Sequence, residues 1–262
     1  MISCTWRHYE LILEMVRHDF TQRYRGSYGG ILWSFANPVA MLAVFTLAFG
    51  GLFSKGAYES EGGVIYYALN VFPGLLLFQA LAEVINKAPT LITGNPAYVK
   101  KIVFPLEALP ITAVLVALSH LFIGLMVWGV IYGLFFNQVP YGAMYLPLLL
   151  LIFAPALLFF GLLFSALGVF IRDLNHIVVP FGQALLFLSP VFYRTENIPL
   201  KWQLLLNFNP LTIIVEQIRV VLAQGQISDW LGLILYLVTA SFLCAMAWRV
   251  FQWCRGRFAD LV

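Results

Sequence analysis

Charge is scarce in this chain: Asp, Glu, Lys and Arg make up 10% of its 262 residues, against 61% hydrophobic ones. With a mean hydropathy of +0.88, that excludes a soluble fold, because an interior of this size cannot hide so much apolar surface. Cysteine is nearly absent, and Cys4, Cys244 and Cys254 form neither a CxxC nor a metal spacing. A disulfide framework and a zinc site are therefore unsupported. The four histidines, His8, His18, His120 and His176, form no HExxH and no cluster, and His120 reads as a packed or helix-bridging residue rather than a ligand. No GxxxxGK[ST] occurs; GGLFSKG at 50–56 has the wrong spacing, so the chain does not bind ATP by that route. There is no GxSxG, and Asp19, Asp173, Asp229 and Asp260 are scattered. A membrane-embedded sugar or prenyl transferase needs acidic residues close together to hold a divalent cation. Catalysis by this chain alone is not supported.

What the sequence does have is long apolar runs. Arg7, Glu10, Glu14, Arg17 and Asp19 interrupt the first twenty residues, so no signal-peptide core lies there and insertion begins with the first true span. Hydropathy predicts an all-α integral membrane protein with six spans at about 31–54, 65–85, 107–136, 144–171, 177–193 and 229–251, each near the roughly 20 residues a bilayer requires. Residues 1–30 form a separate interface element, and 31–262 the spanning domain. Eleven basic residues (Arg7, Arg17, Arg23, Arg25, Lys87, Lys100, Lys101, Arg172, Arg249, Arg255, Arg257) fall on one set of loops and four (Lys55, Arg194, Lys201, Arg219) on the other. The positive-inside rule then places both termini in the cytoplasm, as an even number of spans requires.

Three stretches fit no simple span or loop. Residues 194–226 are too apolar for an exposed loop and too interrupted to cross. Trp202–Phe208 is one short run, Asn209-Pro210 breaks it, and Leu211–Leu222 follows, carrying Glu216 and Arg219. Apolar runs of about 10 to 14 residues suit a re-entrant or interfacial pair, and broken backbone at membrane depth requires surrounding protein or a water-filled cavity. The i, i+3 spacing of Glu216 and Arg219 permits a structural ion pair on one helical face; contact with a polar substrate is the other reading. Near the N-terminus, Trp6, Tyr9, Leu13, Val16, Phe20 and Tyr24 recur at helical spacing, predicting a basic amphipathic helix over 6–25 lying in the membrane interface. The loop 86–106, punctuated by Pro89, Gly94-Asn95-Pro96 and Pro105, is longer than a passive connector needs and leaves room for a short helix and a turn.

Aromatic residues are plentiful, at 16%. Along the first span Trp33, Asn37, Met41, Phe45, Phe49 and Phe53 follow one another at i+4. Such a row drifts about 40° per step on a straight helix, so it lines a pathway only if the helix tilts or curves. Helix–helix packing is the alternative.

RYRGSYGGILWSFANP at 23–38, NPAYVKKIVFP at 95–105, FIRDLNHIVVP at 170–180 and NPLTIIVEQIR at 209–219 resemble the membrane subunit of type-2 ABC exporters for polysaccharides. That family handles O-antigen, capsular polysaccharide and teichoic acid, and the loop text at 95–105 is most similar to the O-antigen branch. The resemblance covers nearly the whole chain. It implies a homodimer in the bacterial cytoplasmic (inner) membrane, joined by two copies of a cytoplasmic ATPase that holds ATP and Mg2+, while this chain binds no cofactor or metal. It implies a channel for an undecaprenyl-diphosphate-linked glycan. ATPase coupling falls to the loop 86–106, with Asn95, Pro96, Lys100 and Lys101, and a gate of paired re-entrant helices to about 195–226, with Asn209, Pro210, Glu216 and Arg219. On that basis Trp33, Phe45, Phe49, Phe187 and Tyr193 are the candidate conduit aromatics. Arg23 and Arg25 are candidate receivers of the lipid diphosphate, since guanidinium forks match phosphate oxygens; positive-inside anchoring accounts for them equally. A small-molecule or drug exporter shares the six-span plan, and a membrane-bound glycosyl or lipid transferase is the reading from another class.

Overall fold

The computed structural model describes residues 8–23, 26–52, 63–100, 104–193 and 209–261, with single positions 195, 199, 201 and 206 between them. Among the described residues every regular element is helical. In chain order they are α1 (Tyr9–Gln22), α2 (Trp33–Leu52), α3 (Gly63–Lys87), the single turn α4 (Pro96–Val99), α5 (Ala108–Phe136), α6 (Leu146–Phe170), α7 (Leu174–Phe187), α8 (Thr212–Gln224) and α9 (Trp230–Leu261). Several carry an interior proline, such as Pro38 in α2 and Pro155 in α6. Neighbouring helices re-satisfy the freed backbone groups where such a helix is enclosed in a bundle.

Among the described residues five helical stretches are long and apolar enough to cross a bilayer: Gly30–Ala48, Gly63–Thr90, Ala108–Phe136, Tyr141–Phe170 and Trp230–Phe258. The expected span at 177–193 differs. Its helix, α7, has 14 residues, about 21 Å at a 1.5 Å rise, short of the ~30 Å hydrocarbon core. The cause is Pro190, which has no amide hydrogen and disfavours helical geometry in the residue before it. The chain runs on through turns and bends from Leu188 to Tyr193.

α3 is the central post, touching α2, α5, α6, α7 and α8, while α9 lies along α6. In the spanning windows 72% of α3 is buried, against 11% of α2, so α2 is a peripheral helix with an open face. A second core closes one end of the bundle, where Leu162, Ala166, Phe251 and Phe258 of α6 and α9 enclose Ala88, Leu91 and Ile92. The loop after α3 is therefore docked, not free. It opens with a 3-10 turn over Ala88–Thr90 and reaches α4 after a second turn.

A helix forms within the expected N-terminal range, over Tyr9–Gln22, but its buried face differs from the predicted stripe. Ile12 packs on Ala108 and Ile111, with Met15 and Val16 beside it, whereas Tyr9 and Leu13 are exposed. Two apolar faces fit the same spacing, and the contact with α5 selects the one through Ile12.

Gly168 of α6 shows how closely the loop after α3 is seated. A Cβ there would fall on the backbone of Pro89. Overpacking of this kind costs about 1–3 kcal/mol, so Gly168→Ala is expected to lower the melting temperature of the purified protein. Gly129→Ala, where a Cβ meets nothing within 4 Å, should leave it unchanged or raise it slightly; equal effects of the two changes would contradict the docked loop.

Candidate functional site

The broken stretch after α7 is held by side chains from three other places. Arg219 of α8 donates from Nη2 to the carbonyls of Pro190 (2.7 Å) and Val191 (3.2 Å), and from Nη1 to that of Tyr193 (3.2 Å). Tyr67 of α3 donates to the Phe192 carbonyl at 2.9 Å, and the Tyr193 hydroxyl to the Phe187 carbonyl at 2.9 Å. The Asn209 amide donates to the Leu185 carbonyl at 3.0 Å, and its side-chain oxygen accepts from the Leu211 amide at 2.9 Å. The Pro210 carbonyl accepts from Tyr236 of α9 at 2.9 Å. Each bond replaces one that a continuous helix would have made within its own backbone.

α8 starts beside the middle of α3 and ends at its far rim. Val215 lies against Gly74, where an added Cβ would sit 3.2 Å from Val215 Cγ1. One and a half turns later the Val221 carbonyl lies against Gly142 in the α5–α6 hairpin, so close that only glycine fits. The structure thus brings Asn209, Pro210 and Arg219 together as one polar lattice around residues 185–193. Glu216 is half-buried one turn before Arg219. Of the first short run, Trp202–Phe208, all but Leu206 lie outside the described residues.

The expected conduit aromatics divide. Trp33 and Phe187 stand on open faces of α2 and α7. Phe45 stacks on Phe192 at 6.0 Å between ring centroids, which joins α2 to the broken stretch, and the Tyr193 hydroxyl is already bonded inside the protein. The Phe49 side chain lies outside the described residues.

At the opposite end of α3, an ion-pair ladder fixes α1. Arg23 Nη1 is 2.8 Å from Glu83 Oε1, and Lys87 Nζ is 2.8 Å from Asp19 Oδ2. His120 of α5 places Nδ1 3.0 Å from the other oxygen of Glu83 and its ring 5.1 Å from that of Phe20. The sequence reading did not find this ladder; its signal is the reversed sign of Asp19/Arg23 and Glu83/Lys87, each pair four residues apart. Arg23 also lines a cleft of about 340 Å³ between α2, α3 and α5. Arg25 lies outside the described residues.

On the loop 86–106, the Asn95 amide closes its own turn by donating to the Leu91 carbonyl at 2.9 Å, and Pro96 opens α4. Pro96, Ala97 and Lys100 are exposed while Val99 is buried, so the loop presents a small outward face on a buried base. Lys101 lies outside the described residues. The loop's far end is tied down by Arg255 of α9, which reaches buried Glu107 (3.3 Å) and the Phe104 carbonyl (3.3 Å). Among the described residues no three His, Cys, Asp or Glu side chains are placed to hold a metal ion.

Replacing Arg219 tests the polar lattice. Arg219→Ala removes the donor of three carbonyls and is expected to cost about 1.5–3 kcal/mol, read as a lower melting temperature of the detergent-solubilised protein. Arg219→Lys keeps the charge but lacks the planar fork and should recover less than half; full recovery would mean that charge alone matters.

Comparison with known proteins adds two findings. Over 256 residues, 97% of this chain and 95% of the relative, it is 24% identical to the O-antigen export system permease protein RfbA of Klebsiella pneumoniae. The protein of the same name from Myxococcus xanthus is 24% identical over 255 residues, 96% of this chain and 95% of that relative. The family model for the ABC-2 type transporter matches residues 10–223, from α1 through the lattice around Arg219 to the last turn of α8, and the chain accordingly belongs to the ABC-2 type transporter family of membrane subunits.

Proposed function

We propose that this chain forms the conduit of an ATP-driven exporter that moves an O-antigen-like polysaccharide, carried on undecaprenyl diphosphate, across the bacterial cytoplasmic membrane. The observation that carries the reading is the alignment of 97% of the chain with permeases named for O-antigen export. The sequence has no phosphate-binding loop, so ATP and Mg2+ belong to a cytoplasmic ATPase present in two copies. Two copies of this chain surround the conduit, and the open faces of α2 and α7, bearing Trp33 and Phe187, supply its aromatic walls. Aromatic rings suit sugars because the C–H face of a pyranose packs on them without a fixed hydrogen-bond pattern.

The broken stretch completes what α7 begins. Leu188–Tyr193 carries the chain from α7 past Gly74 towards Tyr67 near the start of α3, giving six crossings and two cytoplasmic termini, in keeping with the basic residues. α8, starting beside mid-α3, is then the rising half of a re-entrant pair that closes the outer mouth at rest. The ATPase meets Pro96, Ala97 and Lys100, and the buried base of the loop passes its movement to α6 and α9. The half-exposed guanidinium of Arg23 receives the lipid diphosphate at the inner interface, with Arg25 beside it in sequence.

The test is reconstitution of the chain with its ATPase in vesicles, using labelled lipid-linked polysaccharide. ATP-dependent protection of the label inside the vesicles, with glycan-stimulated ATP hydrolysis, is the expected result. Absence of both protection and stimulation would overturn the reading, and glycan turnover without ATP would favour a transferase.

A further inference from the structure

The cleft beneath Arg23 gathers several polar side chains on otherwise apolar walls. Polar side chains within a membrane domain are costly and mark pathways or binding sites. Arg23, Ser34, Asn37, Gln79, Glu83 and His120 contribute to its lining, and Met41, Leu76 and Leu121 close its deeper end. Three of these polar groups retain hydrogen-bonding capacity. Asn37 has no hydrogen-bond partner among the described residues. The only described partner of Gln79 is the sulfur of Met41, a weak acceptor. Arg23 uses Nη1 on Glu83 and His120, and its Nη2 and Nε reach no described residue.

The charges of this region already balance. Arg23 faces Glu83 and Lys87 faces Asp19, each at 2.8 Å. An anion that went deeper, to the edge of Arg23 that faces Glu83, would have to displace that carboxylate, and a cation would have to displace Arg23 from Glu83. A neutral hydroxyl does neither, because it accepts from the guanidinium and donates to the carboxylate at once. Asn37 and Gln79 offer the same mixture of donors and acceptors through planar carboxamides. A few convergent polar groups on otherwise apolar walls are the usual make-up of a small-ligand site.

We propose that the cleft between α2, α3 and α5 is a docking site for a single sugar ring of the lipid-linked cargo, held by Asn37, Gln79 and the Arg23–Glu83 pair. Its place in one protomer makes it distinct from a conduit between two copies. The diphosphate stays at the mouth, on the water-facing edge of Arg23, and the ring attached to it enters the cleft from the inner leaflet. His120 bonds the Glu83 carboxylate and keeps it facing Arg23. The proposal rests on the polysaccharide reading above.

The experiment compares two probes on the permease–ATPase complex in nanodiscs: a lipid diphosphate bearing one sugar, and the same lipid diphosphate without it. The wild-type complex is expected to bind the sugar-bearing lipid roughly five- to tenfold more tightly, as about one to one and a half kcal/mol of net hydrogen bonding implies. Asn37→Leu and Gln79→Leu should each remove most of that difference while leaving affinity for the bare lipid diphosphate unchanged. Asn37 is exposed on α2, so its leucine variant reports even if the change at Gln79 impairs folding. No sugar-dependent difference in the wild type, or one that survives both changes, overturns the site. Vesicle transport separates the two readings. Translocation of glycan by a complex lacking the sugar increment sinks only this site, whereas a wild type that translocates no glycan sinks the exporter reading itself.

Discussion

A backbone carbonyl that loses its helical donor inside a bilayer must find another, because no water is there to supply one, and each unsatisfied group costs several kcal/mol. Around residues 185–193 this requirement organises the molecule. Arg219, Tyr67, Tyr193 and Asn209 between them donate to six carbonyls of that stretch. With those bonds in place α7 can stop at Phe187, the chain can turn without regular structure, and α8 can pack against the middle of α3. A guanidinium suits the task because its fork reaches several acceptors from one fixed plane. Leu, the residue hydropathy would favour at 219, can do none of this.

The opposite end of the bundle is organised by charge. The Asp19–Lys87 and Arg23–Glu83 pairs fasten α1 to the last turns of α3, and α3 runs directly into the docked turn at Ala88–Thr90. α1 leads into α2 through the short turn at Gly30–Leu32. The two pairs therefore tie the docked loop after α3 to the segment that precedes α2, the helix whose open face carries Trp33. Each pair is partly exposed and individually weak, but the two act on the same short length of helix.

Long apolar helices were legible in the sequence because hydropathy reads composition over some twenty residues, and α2, α3, α5, α6 and α9 each fill that window. The break at Asn209-Pro210 was legible too, since both residues carry a local backbone meaning. The early end of α7 was harder: Val191, Phe192 and Tyr193 keep the window apolar, and only Pro190 records that the helix cannot continue. The role of Arg219 was half legible. Its cost in an apolar run announced a partner, but local spacing pointed to Glu216, whereas the carbonyls it reaches lie 26 to 29 residues earlier. Glu83 was missed for the same reason, its partners being 60 and 37 residues away. Contacts of that range depend on how the helices assemble, which no local pattern encodes.

The burial of α3 bears on how the chain enters the membrane. Its spanning window has a mean hydropathy of 1.7, below the 2.3 of α5 and the 2.6 of α6, and it carries Asn70, Gln79 and Glu83. Alone among lipids it would be the poorest resident of the five. The helices that enclose most of it, α5, α6, α7 and α8, are synthesised later. While the chain is being made, α3 must therefore wait in the bilayer with polar groups uncovered, or beside the insertion machinery, until its successors arrive. Biogenesis of this subunit is then a sequence in which the central helix is among the first to be delivered and the last to become comfortable, and conditions that slow the delivery of α5 and α6 endanger α3 first.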